Sequence, residues 1–310
     1  MPQPRPATFS IVARDPDTDA VGVAVHSKFI SVGSVVPFAA ADAGAVATQS
    51  FANVAYGPDG LELLREGHTA SEAVEALTAE DPEAPRRQVG IVGRDGTVAA
   101  HTGDECHDYA GDRQGDTYTV QGNILANEET LTAMADAYEE AGGGLPERLI
   151  TALHAGNEAG GDSRGEQSAA LYVAKPEGGY DGKNDRWIDV RVDDHETPID
   201  ELERVFKLYD VTLVSRAAPD ETRRLSGETA RAVTGALADL GFYDGDPPAE
   251  FGEAERDALE TFRGMNNFEN HDLAVVEDAL ARGWDDAEGS DPESRLVDAL
   301  WHGLSRLERE

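Results

Sequence analysis

Two short apolar runs open the chain. Thr8-Phe9-Ser10-Ile11-Val12-Ala13-Arg14 and Gly22-Val23-Ala24-Val25-His26 flank the turn Asp15-Pro16-Asp17-Thr18-Asp19. This pattern predicts a β-hairpin, with strands over 8–14 and 20–26. Another strand is predicted over 31–38. The next, Gly44-Ala45-Val46-Ala47-Thr48-Gln49-Ser50, is built of small residues, which predicts tight packing or close backbone approach. Helical spacing then covers 57–65 and 69–77, with Thr69 as N-cap and Glu72 in the capping-box position. Strands return over 87–92, 98–102 and 118–125, and helices over 128–140 and 146–155. After the loop Gly160-Gly161-Asp162-Ser163-Arg164-Gly165 come strands over 168–174 and 187–192 and a helix over 198–208. Hairpins alternating with helix pairs predict antiparallel sheets stacked between helix layers, not a Rossmann series.

The composition shifts at 215–220, and helical spacing follows over 226–240, 253–266, 272–282 and 292–307. The pattern divides the chain into a leader at 1–7, a main α+β domain at 8–214 and a small all-α domain at 222–310. The leader carries Pro2, Pro4 and Pro6, so it cannot begin a strand ladder.

Charge narrows the function classes. Lys and Arg total 26 against 61 Asp and Glu, a formal net charge of -35, and the only lysines are Lys28, Lys175, Lys183 and Lys207. Such a surface repels nucleic acid and anionic membrane. Hydrophobic residues still make up 40% of the chain, in periodic segments, so a folded core is expected. An acid-rich, lysine-poor surface fits solubility at high salt and a halophilic source. Cys106 is the single cysteine, so no intrachain disulfide forms, and a reducing, cytoplasmic compartment is expected. The first 30 residues lack a signal-peptide pattern, and no apolar run approaches the ~18 residues of a membrane span.

The hairpin also gathers chemistry. Thr8 begins its first strand and His26-Ser27-Lys28 closes its second. A hydroxyl, an imidazole and an ammonium brought together are one way to build a nucleophile; the same residues also make an ordinary strand pair. Thr8 is the first candidate nucleophile. Ser10, on the same face by the two-residue period, is the second. Lys28 would tune or orient, and His26 would relay protons or sit as a core histidine. Ser27 is a candidate substrate contact. Gln49, Ser50 and Asn53, after the small-residue strand, and Asn123, after Gln121-Gly122, carry side chains that could line a pocket and donate to an oxyanion, or serve as turn formers. Asp162 and Arg164 would hold a substrate carboxylate or pin their own loop, with Gln167 beside them. His101, Cys106 and His107 do not match a zinc spacing, so no metal is expected. Asp193-Asp194-His195 reads as a polar loop.

Several motifs in order resemble the DUF1028 family, a family of unknown function. They include the 8–15 strand, Val32-Gly33-Ser34-Val35-Val36-Pro37, Ala47-Thr48-Gln49-Ser50-Phe51-Ala52-Asn53, Tyr56-Gly57-Pro58-Asp59-Gly60-Leu61, His101-Thr102-Gly103, Gln121-Gly122-Asn123-Ile124-Leu125, 161–171 and 184–195. The resemblance spans about residues 8–210. It implies a four-layer αββα sandwich like that of the N-terminal-nucleophile (Ntn) hydrolases. Residues 222–310, with Leu240-Gly241-Phe242-Tyr243-Asp244-Gly245 and Phe251-Gly252, resemble the peptidoglycan-binding domain that often follows that family.

The expected activity is hydrolysis of a small amide or related C–N bond, with no cofactor, since acyl transfer requires none. Ntn chemistry needs a free α-amine beside the nucleophile, and residues 1–7 stand before Thr8. The alternative is a non-catalytic binding or assembly protein, with the sandwich as scaffold and the helical tail as interaction module. The expected partner is a small-molecule substrate, and a homodimer stays open.

Overall fold

The computed structural model describes residues 8–180, 182–214, 222–269 and 271–281. The leader at 1–7 and the helix expected over 292–307 lie outside the described residues. The chain is a mixed α/β protein with two antiparallel sheets and helices, followed by a helical C-terminal region. It divides into two compact units, Met1–Val205 and Phe206–Glu310.

The opening hairpin forms as the apolar pattern dictates. Strand β1 (Thr8–Asp15) pairs with β2 (Ala20–Ser27) from Asp15↔Ala20 to Thr8↔Ser27. The Asp15 carboxylate closes the turn by accepting from Asp17 N at 3.0 Å and Thr18 Oγ1 at 2.6 Å. The 31–38 segment differs from the expected strand. Ser31 takes a left-handed conformation (φ 55°), a short 3-10 turn covers Val32–Ser34, and only β3 (Pro37–Ala40) is extended. The remaining strands of the unit are β4 (Gly44–Ser50), β5 (Arg87–Gly93), β6 (Val98–Thr102), β7 (Gly111–Gln114), β8 (Tyr118–Asn123), β9 (Ser168–Ala174) and β10 (Arg186–Val192). The pattern missed β7, whose sequence Gly-Asp-Arg-Gln has no apolar residue to mark it.

The strands form a six-stranded sheet, in order β10-β9-β2-β1-β8-β7, and a four-stranded sheet, β3-β4-β5-β6. The sheets stack face to face. Helices α3 (Glu129–Glu140) and α4 (Leu145–Glu158) cover the outer face of the larger sheet, and α1 (Tyr56–Arg65) and α2 (Ala70–Ala79) that of the smaller. Thr69 caps α2 in the expected capping box, its backbone N–H donating to Glu72 Oε2 at 2.8 Å. Along much of the interface between the sheets, Val12, Val21, Val23 and Val25 meet Ala45, Ala47 and Val92. Toward the end of the sandwich that holds Thr8, β1 keeps the same inward face but presents hydroxyls. Among the described residues, no helix is long and apolar enough to cross a membrane.

Helix α5 (Pro198–Leu213) extends past its expected end at 208, and the division between the units falls inside it. In the second unit, α6 (Gly227–Asp239), α7 (Glu253–Met265) and α8 (Leu273–Ala281) enclose a core that includes Val233, Leu237, Leu259, Phe262 and Val276. Arg256 Nε donates to Glu277 Oε2 at 2.9 Å, tying α7 to α8.

Candidate active site

Register places Thr8 between two polar neighbours. It pairs with Ser27 of β2 on one side and Asn123 of β8 on the other. Thr8 is 3% exposed, and its Oγ1 lies 3.0 Å from Ser27 Oγ. Directly opposite Thr8, the smaller sheet offers Gln49.

Behind Thr8 the space between the sheets is filled by amides. Ser10 Oγ donates to Gln49 Oε1 at 2.6 Å and accepts from Gln121 Nε2 at 2.6 Å. Gln49 Nε2 donates to Gln88 Oε1 at 2.8 Å and reaches the carbonyls of Thr8 (3.4 Å) and Gln121 (3.3 Å). Gln88 Oε1 also accepts from Asn123 Nδ2 at 3.0 Å, while Gln88 Nε2 donates to the carbonyls of Gly122 and Gly111 and to Thr102 Oγ1. Gly90 makes room for this layer: a Cβ there would lie 2.2 Å from Gln121 Oε1. Buried amides are stable only when their donors and acceptors are matched, and this network matches most of them across both sheets.

A pocket of about 510 Å³ opens beside Thr8. Thr8, Gln49 and Ser50 form its polar wall. Phe29, Val32, Val35, Val36, Phe51 and Ala52 form its apolar wall, and Arg87 is its charged residue. The turn at Val32–Ser34, where a strand was expected, brings those valines to the pocket. Ser50 ends β4 with φ 70°. Arg87 Nε donates to Asp81 Oδ2 at 2.9 Å, and its Nη1 donates to the Phe51 carbonyl. The hydrogen bond from Arg87 holds the Asp81 carboxyl down at about 2. Arg87 and Gln88 had no role in the sequence reading, because a polar residue in a strand does not reveal which face it occupies.

Other sequence candidates lie apart from Thr8. Strand alternation puts Ser27 beside Thr8 and turns His26 to the opposite, helix-covered face of the sheet, where its ring packs tilted against Phe9 with centroids 4.7 Å apart. Burial, then the charges of Lys28 and Arg164, push the His26 imidazole down to about 3, so it is neutral near neutrality. Glu166 Oε2, 3.8 Å from His26 Nε2, is therefore no ionic partner at that pH. Neither His26 ring nitrogen has a hydrogen-bond partner among the described residues. Lys28 Nζ donates to the Glu166 carbonyl at 2.7 Å and lines a separate pocket with Glu166 and Gln167. Gln167 Nε2 donates to Asp194 Oδ1.

Asp162 and Arg164 form a loop clasp. Asp162 accepts from Lys28 N (2.8 Å), Arg164 N (2.9 Å), Arg164 Nε (3.1 Å) and Arg164 Nη2 (2.9 Å). Asn53 accepts from Ala55 N through Oδ1, which makes it a turn former. The hydroxyl and amide candidates Thr8, Ser10, Ser27, Gln49, Ser50 and Asn123 therefore share one end of the sandwich. His26, Lys28, Asp162, Arg164 and Gln167 gather around the loop at 160–168.

Comparison with known proteins accords with this architecture. A family model for a family of unknown function, DUF1028, matches residues 8–202. A second model, whose description names peptidoglycan binding, matches residues 212–291. No curated protein matches the chain. A crystal structure of a protein from Silicibacter pomeroyi, described as carrying the DUF1028 family model, is similar at 31% identity and a TM-score of 0.60, over 66% of this chain and 89% of that one. The chain, matched by the family model across the whole two-sheet sandwich, belongs to the DUF1028 family.

Proposed function

We propose that the two-sheet unit is an Ntn-type hydrolase of a small amide or related C–N bond, with Thr8 as nucleophile. The observation that carries this reading is the position of Thr8: first residue of a central strand, hydroxyl inward, at the wall of a 510 Å³ pocket. Among the described residues, the hydrogen-bond partner of Thr8 Oγ1 is Ser27, and no imidazole bonds to it. The base is therefore the Thr8 α-amine, released by removal of residues 1–7; its pKa of about 8 suits the task. That amine takes the hydroxyl proton as Oγ1 adds to the substrate carbonyl. The C–N bond breaks, the leaving nitrogen takes the proton, and water hydrolyses the Thr8 ester. Asn123 Nδ2 keeps one proton without a partner among the described residues and supplies an oxyanion donor; the Gln49 amide is engaged in the buried network.

The test is turnover of a panel of small amides and ureido compounds at high salt, since the acidic composition reads as halophilic. Intact-mass analysis of the same sample reports the N-terminus. Expected are a mass lacking residues 1–7, turnover by the wild type, at least ~100-fold less by Thr8→Ala and partial retention by Thr8→Ser. Turnover unchanged in Thr8→Ala sinks the mechanism.

One observation favours a second reading. Among the described residues, Thr8 Oγ1 is hydrogen-bonded to another hydroxyl, not to a base. The pocket is then a binding site on a non-catalytic scaffold, with the helical unit as interaction module. A chain that keeps residues 1–7 in cells and binds but never turns over its ligand supports this reading.

A further inference from the structure

We infer that the pocket beside Thr8 takes a ligand with a carboxylate and an apolar body, and that Arg87 is the residue that reads the carboxylate. This rests on the pocket being the substrate site. The sequence assigned that role to Arg164, but the Arg164 guanidinium is clasped on Asp162, and Arg164 is not among the residues that line this pocket. Arg87 is the charged residue that does line it.

The guanidinium is aimed before any ligand arrives. Nε is held by Asp81, and one Nη1 proton by the Phe51 carbonyl. Asp81 is itself fixed by Tyr56 Oη, which donates to Oδ2 at 2.8 Å, and by Glu83 N, which donates to Oδ1 at 2.8 Å. Among the described residues, Nη2 and the second Nη1 proton have no partner. The unpartnered Nη2 and the remaining Nη1 proton leave both terminal nitrogens able to donate to the two oxygens of a carboxylate. A lysine could neutralise Asp81 but offers no such fork.

The other wall selects the body of the ligand. Val32, Val35 and Val36 come from the turn that replaces a strand, and Phe29, 39% exposed, stands near the mouth. An apolar or aromatic group on these side chains leaves the carboxylate to Arg87 and the amide to Thr8. The volume lies within the range of small-molecule sites, about 300–1,000 Å³.

The test is a binding measurement, by calorimetry, at high salt. The probes are N-acetyl-L-phenylalanine and its uncharged C-terminal amide. The proteins are wild type, Thr8→Ala, Arg87→Met and Arg87→Lys, each checked by circular dichroism. Expected is binding of the acid about tenfold or more tighter than the amide in wild type and in Thr8→Ala. Arg87→Met should bind the two probes equally. Arg87→Lys, which keeps a cation for Asp81 and guards against misfolding of the Met variant, should lose most of the preference. Equal binding of the two probes by wild type, no binding of the acid, or a preference that stays undiminished in either Arg87 variant overturns the inference. Acid preference in a protein that never hydrolyses any amide leaves the inference standing and removes the hydrolase reading.

Discussion

At the scale of single residues, the decisive fact is which face of a strand a side chain occupies. His26, Ser27 and Lys28 adjoin in sequence, yet the two-residue period of a strand already points His26 and Ser27 to opposite faces. Alternation sends Ser27 to Thr8 and His26 to the other side. Gln49 and Asn123 were legible as candidates, since amides at the ends of apolar strands are conspicuous. Gln88 was not, because only the pairing Gln49↔Gln88 brings it into the network. His26 makes a measurable prediction. Its folded pKa, about 3, lies below the ordinary histidine value of 6.5. The unfolded chain therefore takes up a proton as pH falls below 6.5, while the folded chain resists until about 3. The contribution of His26 to stability is complete above pH 6.5 and is lost progressively toward pH 3, with a slope of at most ~1.4 kcal/mol per pH unit. Denaturant titrations across this range should show a shallower acid-side loss in His26→Leu than in wild type. Identical slopes in the two proteins would contradict the buried, neutral imidazole.

At the scale of elements, strong periodicity and explicit end signals were sufficient. The hairpin, the small-residue strand and the capped α2 all appear where their patterns put them. Elements without such signals were misread. Strand β7 has no apolar residue, and the valine-rich 31–38 segment looks extended until Ser31 turns left-handed. The low bulk of the strand over 44–50 pointed to close packing, and small residues recur in its partner β5. Gly90 lies under the Gln121 amide, which bonds Ser10. Gly90→Ala is expected to displace that amide and cost about 1–3 kcal/mol in chemical denaturation. Because the damage is one shared contact, Gly90→Ala with Gln121→Ala should cost less than the sum of the single changes. Strict additivity would show that the two strands do not meet through this amide.

At the scale of the whole molecule, a net charge of -35 sets the conditions under which everything else operates. Screening shortens from roughly 8 Å at physiological salt to roughly 3 Å at 1 M. Self-repulsion therefore fades with salt, and Tm should rise between low and molar KCl; a flat or falling Tm would contradict that balance. The two antiparallel sheets and their helices were legible as hairpins alternating with helix pairs. The pocket was not, because its walls come from the turn at 32–34 and from the ends of β1, β4 and β5, segments far apart in sequence. The ladder around Thr8 bears on the timing of maturation. β1 pairs with both neighbours from Thr8 onward. A cut ahead of Thr8 leaves every described rung of the ladder in place, so on the hydrolase reading the chain can fold first and be trimmed afterwards. On the hydrolase reading, activity then waits for a protease or for self-cleavage, and a folded, melted-alike but silent precursor precedes the working form.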